Sequence, residues 1–116
     1  MKKIIVIDDH PVIVVAIKAC LEKTGDLSVI DVSDNGLDGL EKVKLHQPDL
    51  VILDLFLPKT DGLGMIRRIK AVSEKIKVLV LTGHVCDNNG AANEIRKNYC
   101  AWLTRIQGLF DAGGRQ

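Results

Sequence analysis

Short apolar runs alternate with stretches of helical periodicity over the first eighty residues. Ile4 to Ile7 is an uninterrupted apolar run ended by Asp8 and Asp9. His10-Pro11 then opens a helix, because proline suits a first helical turn. Ile13, Ile17, Cys20 and Leu21 fall on one face of that helix, and Gly25 closes the segment. Leu27 to Val32 reads as a second strand. Ser33 and Asp34 are expected to cap the next helix, whose inner face is marked by Leu37, Leu40 and Val43. Gln47-Pro48-Asp49 breaks the chain before Leu50 to Leu53, four apolar residues that end at Asp54. A run of that kind reads as a strand buried on both faces, as in the centre of a parallel sheet. Leu55 to Thr60 forms a loop into a helix carrying Leu63, Ile66 and Ile69, and Lys77 to Thr82 is a fourth buried strand.

Strand and helix in alternation predict an α/β fold, a parallel sheet with helices on both faces. The pattern weakens beyond His84. Asp87-Asn88-Asn89-Gly90 is loop chemistry. Ala91 to Asn98 can form a helix, although its apolar positions are only Ala91, Ala92 and Ile95. Cys100 to Thr104 is a short candidate fifth strand. The tail from Ile106 to Gln116 offers Ile106, Leu109 and Phe110 before Gly113-Gly114, enough for one or two helical turns.

At 116 residues the chain is the size of one domain with a single core. Sixteen basic residues against fifteen acidic ones leave a net charge of +1, which gives no general field to attract nucleic acid. Arg67, Arg68 and Lys70 read as a solvated helix face. Three cysteines without framework spacing are expected to be reduced thiols. Met1-Lys2-Lys3 leads directly into a strand, so no leader is expected, and no run approaches the roughly 20 apolar residues of a membrane span. These features predict a soluble, cytoplasmic protein.

The chemistry concentrates at two strand ends. Asp54 stands where a strand leaves the sheet at its carboxyl end, the edge at which open α/β sheets bind ligands. A carboxylate there is a metal ligand, a nucleophile or a solvated strand end. Asp8 and Asp9 end another strand, and if the two strands are neighbours three negative charges converge. Like charges held that close are costly unless a cation offsets them. An all-oxygen donor set suits magnesium, which pairs naturally with phosphate. His10, His46 and His84 have no ligand spacing and read as core or surface residues rather than a metal site.

Val6-Ile7-Asp8-Asp9-His10-Pro11, Asp54 to Gly62 and Val80-Leu81-Thr82 resemble the response-regulator receiver domain of two-component signalling. The Asp-Asp-His-Pro form is similar to the subfamily that usually carries a LuxR/NarL-type helix-turn-helix output domain. The likeness is close from Met1 to about His84, so residues 1–116 are expected to be one receiver domain, atypical from about 85. It implies a doubly wound, flavodoxin-like sheet of five parallel strands, here with a shortened or displaced last helix. It also implies phosphorylation of Asp54 by a sensor histidine kinase, with Mg2+ held by Asp8, Asp9, Asp54 and the backbone carbonyl of Phe56. An exposed carboxylate is a competent phosphoryl acceptor when a divalent cation neutralises the developing charge.

By the same resemblance Thr82 is the switch hydroxyl and Trp102 the aromatic that follows it. Arg105 stands in place of the family's lysine, 23 residues after Thr82 and one beyond the usual spacing. Arginine is planar and longer, so it does not place a point charge as lysine does. The expected role is control of a transcriptional output, with DNA met only through an output domain outside these residues, and with the chain itself a homodimer. The alternative is a degenerate receiver acting as a phosphorylation-independent binding or dimerisation module. An aspartate-nucleophile phosphatase needs a second acid two residues after the nucleophile, and Phe56 occupies that position, so the chain is not expected to be an enzyme.

Overall fold

The computed structural model describes residues 1–55, 57 and 60–81. In chain order the elements are β1 (Lys2–Ile7), α1 (Pro11–Glu22), β2 (Leu27–Ser33), α2 (Gly36–His46), β3 (Leu50–Asp54), α3 (Gly62–Val72) and β4 (Lys77–Leu81). All strand pairings are parallel, in the order β2-β1-β3-β4. The expected fifth strand and last helix lie outside the described residues.

Side chains of buried strands alternate between the two faces of the sheet. Ile4, Val6, Leu50 and Ile52 pack with Ile13, Ile17 and Leu21 of α1, while Ile5, Ile7, Val51 and Leu53 pack with Leu40 and Val43 of α2 and Met65 and Ile69 of α3. Helices therefore cover both faces, and β1 and β3 are buried between them. Asp49 fastens the amino ends of the strands: its carboxylate accepts the Lys3 N–H at 2.7 Å, its own N–H donates to the Lys3 carbonyl, and its carbonyl accepts from Lys77.

Several face assignments differ from the sequence pattern. Leu37 is 76% exposed and Leu63 65% exposed, whereas the buried positions of α2 are Gly36, Gly39, Leu40 and Val43, and those of α3 are Gly62, Met65 and Ile69. Glycine makes part of each contact face. A Cβ built on Gly39 would meet Ile7 Cδ1 at 2.6 Å, so α2 lies against β1 at a distance only glycine permits. Cys20 is partly buried against the core rather than inside it. The cap of α2 is Asn35, whose side chain accepts the Asp38 N–H at 2.8 Å. Ser33, expected as a cap, instead donates its hydroxyl to Asp38 Oδ2 and to the Asn35 carbonyl.

The register of β1 against β2 shifts between Ile4 and Ile5, passing over Ile30. Such an irregularity re-aims the residues after it. Asp31 thereby pairs with Ile5, on the face covered by α2, where Lys42 Nζ lies 3.5 Å and His46 Nε2 3.2 Å away. Burial disfavours the charged form of Asp31, but the Val32 N–H, His46 and Lys42 outweigh it and hold the carboxyl below its ordinary range. Lys42 also reaches Asp38 at 2.9 Å and the Val32 carbonyl at 2.7 Å, tying α2 to the edge strand β2.

Candidate functional site

Register builds the site. Ile7 of β1 pairs with Leu53 of β3, so the next residues of each strand, Asp8 and Asp54, stand side by side at the carboxyl edge. Asp8 is anchored by its N–H, which donates to the Ser33 carbonyl at 2.9 Å. Asp54 remains within β3, paired with Leu81 on its other side. It is fully buried, not exposed as the sequence pattern suggests, because its pairing with β4 keeps it within the sheet rather than releasing it into the loop.

His10 turns back into this cluster. Its backbone N–H donates to Asp8 Oδ1 at 2.9 Å, closing a tight turn before Pro11 begins α1. Its ring Nδ1 then lies 2.7 Å from Asp8 Oδ1, 3.0 Å from Asp9 Oδ1 and 3.7 Å from Asp54 Oδ2. Burial raises the pKa of Asp8, aided by the negative charge of Asp54 and opposed by its bonds to His10. The hydrogen bond to Asp8 raises the pKa of His10, and the surrounding carboxylates act in the same direction.

The donor set fits a cation. Asp8, Asp9, His10 and Asp54 each offer a ligand atom, all within 4.8 Å of one another. Asp8 has a fully buried side chain whose Oδ2 has no hydrogen-bond partner. A buried carboxylate oxygen without a donor is costly, and an ion between the carboxylates removes that cost. A cavity of about 490 Å³ opens beside the cluster, lined by Asp8, Asp9, Val14, Ser33, Asp38 and Lys42.

Asp8, Asp9 and Asp54 are thus brought together as expected. Phe56, Thr82, Trp102 and Arg105 lie outside the described residues. The sequence pattern does not count His10 among the ligands and reads it as a core or surface histidine, whereas the structure places its ring against all three carboxylates. Its adjacency to Asp8-Asp9, with Pro11 fixing the next turn, is the signal that could have found it.

The profile of the response regulator receiver domain matches residues 4–97. The chain is 42% identical over 103 residues to BvgA of Bordetella pertussis, described as a positive transcription regulator of virulence factors; the match takes in 83% of this chain and 49% of that protein. The chain therefore spans about half the length of the curated relatives it matches first. Among solved structures it resembles the signal receiver domain of the response regulator NarL from Mycobacterium tuberculosis, with a TM-score of 0.66 and 26% identity over 83% of this chain and 76% of that one. The fold is also shared with a CheY-like receiver domain from Methanospirillum hungatei, at a TM-score of 0.78 and 19% identity over 99% of this chain and 98% of that one. With its parallel sheet, its paired strand-end aspartates and these matches, the chain belongs to the response regulator receiver domain family.

Proposed function

We propose that this chain is the phosphoacceptor domain of a two-component response regulator, phosphorylated on Asp54 by a sensor histidine kinase in the cytoplasm to control transcription through an output domain. The observation that carries this reading is the position of Asp54, at the end of β3 beside Asp8 and within a receiver-domain match. Asp54 attacks phosphorus through a carboxylate oxygen. The new O–P bond forms as the P–N bond of a phosphohistidine donor breaks, and the imidazole leaves with the bonding pair.

Asp8, Asp9 and Asp54, with the carbonyl of Phe56, are the residues that would hold Mg2+. When bound, Mg2+ supplies positive charge that offsets the negative charge of the carboxylates and the phosphoryl oxygens. Asp8 contributes by its burial, which keeps one carboxylate fixed at the floor of the pocket. Thr82 donates its hydroxyl to a phosphoryl oxygen, Trp102 moves with it, and Arg105 provides the cation that a lysine supplies elsewhere in the family. The buried apolar runs Ile4 to Ile7 of β1 and Leu50 to Leu53 of β3 hold the acidic edge in place while this happens.

Incubation with a small phosphodonor and Mg2+, read by intact mass, tests the assignment. Asp54→Asn keeps the shape but removes the nucleophile, so the phosphoryl mass gain disappears while the circular dichroism spectrum is unchanged. Labelling that persists in this variant assigns the acceptor elsewhere. Arg105→Lys restores a compact ammonium and raises the conformational response to phosphorylation. Identical labelling and response in both proteins would remove Arg105 from the site. Arg105 also favours a second reading, a receiver that signals by binding alone, which predicts no mass gain in the unaltered chain.

A further inference from the structure

We propose that His10 serves the acidic pocket as a nitrogen ligand, so that the site takes first-row divalent transition ions, Mn2+ through Zn2+, in preference to Mg2+. This rests on the reading of Asp8, Asp9 and Asp54 as a cation site and adds to it a fourth donor of different chemistry.

The geometry is that of ligands sharing one ion. Donors bound cis at about 2.1 Å to an octahedral ion lie about 3 Å from one another. His10 Nδ1 lies 2.7, 3.0 and 3.7 Å from oxygens of Asp8, Asp9 and Asp54, one from each carboxylate. A surface histidine leaning on one acid would not be held near three. The ring is held there because the His10 N–H bonds back to Asp8 Oδ1 and Pro11 begins the helix immediately after it. A second observation points to a missing cation. Asp8 accepts from His10 through Oδ1 alone, and its Oδ2, fully buried, has no hydrogen-bond partner. His10 Nδ1 and Asp8 Oδ1, 2.7 Å apart, stand where one metal ion could bridge them. As a ligand Nδ1 donates its lone pair, and the ring proton sits on Nε2.

The donor set then decides between ions. Mg2+ prefers oxygen ligands and gains little from imidazole, whereas imidazole suits the later first-row ions and affinity rises along the series toward copper. Three carboxylates alone would leave the pocket to magnesium. Three carboxylates and an imidazole favour a transition ion.

The test uses the full chain loaded with Mn2+ and examined by pulsed electron paramagnetic resonance for 14N coupling. Zn2+ and Mg2+ titrations by calorimetry accompany it for wild type, His10→Ala, His10→Gln and Asp9→Ala. The His10 side chain makes no cap hydrogen bond to α1, so its removal does not uncap the helix. Wild type is expected to show imidazole 14N coupling that both His10 variants lose. Zn2+ affinity should fall about tenfold or more in those variants, while Mg2+ affinity changes by less than about twofold. The proposal is overturned by Mn2+ bound without 14N coupling in wild type, or by coupling that survives in His10→Ala. Zn2+ and Mg2+ affinities that fall together in the His10 variants also overturn it. If Asp9→Ala weakens both ions and His10→Ala neither, the nitrogen ligand is refuted and the acidic pocket stands as a cation site. If no ion depends on Asp9, both readings fall.

Discussion

Asp9 offers a test of the pocket at the level of one side chain, because it is partly exposed and its loss leaves the strand contacts of Asp8 and Asp54 intact. Asp9→Ala is expected to weaken Mg2+ binding about tenfold or more, since a hard cation held by few carboxylates loses much with each one removed. Calorimetric titrations of the two proteins that superimpose would take Asp9 out of the site. The three aspartates were legible in the sequence for a simple reason. A charge that ends a wholly apolar run has no place inside the sheet and must lie at its edge. His10 was not legible in the same way. Its position depends on the turn closed by its own N–H and Asp8 Oδ1, and no periodicity reports the direction of a side chain in a turn. The burial of Asp54 was also hidden, because it follows from pairing with Leu81 on a strand far along the chain.

Among the elements, the strands were the easiest to read, since β1 and β3 are buried on both faces and their sequences are correspondingly continuous in apolar residues. The helices were read correctly in place but were rotated in part. An apolar-spacing argument counts Leu37 and Leu63 and treats glycine as silent, yet Gly36, Gly39 and Gly62 line the contact faces and turn those leucines outward. Gly39→Ala tests this. The added methyl meets Ile7 Cδ1, Cγ1 and Cγ2 at 2.6, 2.9 and 3.2 Å, and Ile7 is a fully buried, β-branched residue with little room to move. Overpacking costs typically about 1–3 kcal/mol, against a gain of about 1 kcal/mol from replacing glycine by alanine within a helix. A net loss of about 1 kcal/mol is expected, seen as a melting temperature lower by about 3–5 °C. A variant that melts at or above wild type would mean that α2 can shift away from β1 without loss.

For the whole molecule, the class of fold was written in the alternation of strands and helices, whereas the strand order came from resemblance, because no local pattern states which strands are neighbours. Among the described residues no helix is long and apolar enough to cross a membrane. The two sheet faces are unequally covered by these residues: α2 and α3 share one, and α1 alone packs on the other. The resemblance implies a last helix over part of the α1 face, and that helix lies outside the described residues. Val12 and Val15, 71% and 66% exposed, put two apolar side chains on the surface of α1. Fully burying a valine gains roughly 1.5–3 kcal/mol relative to leaving it in water. We propose that the chain associates as a symmetric dimer through this face of α1. Sedimentation velocity at micromolar concentration should give a dimer that Val12→Lys and Val15→Lys weaken. A monomer at that concentration, unchanged by either substitution, would remove α1 as an association surface.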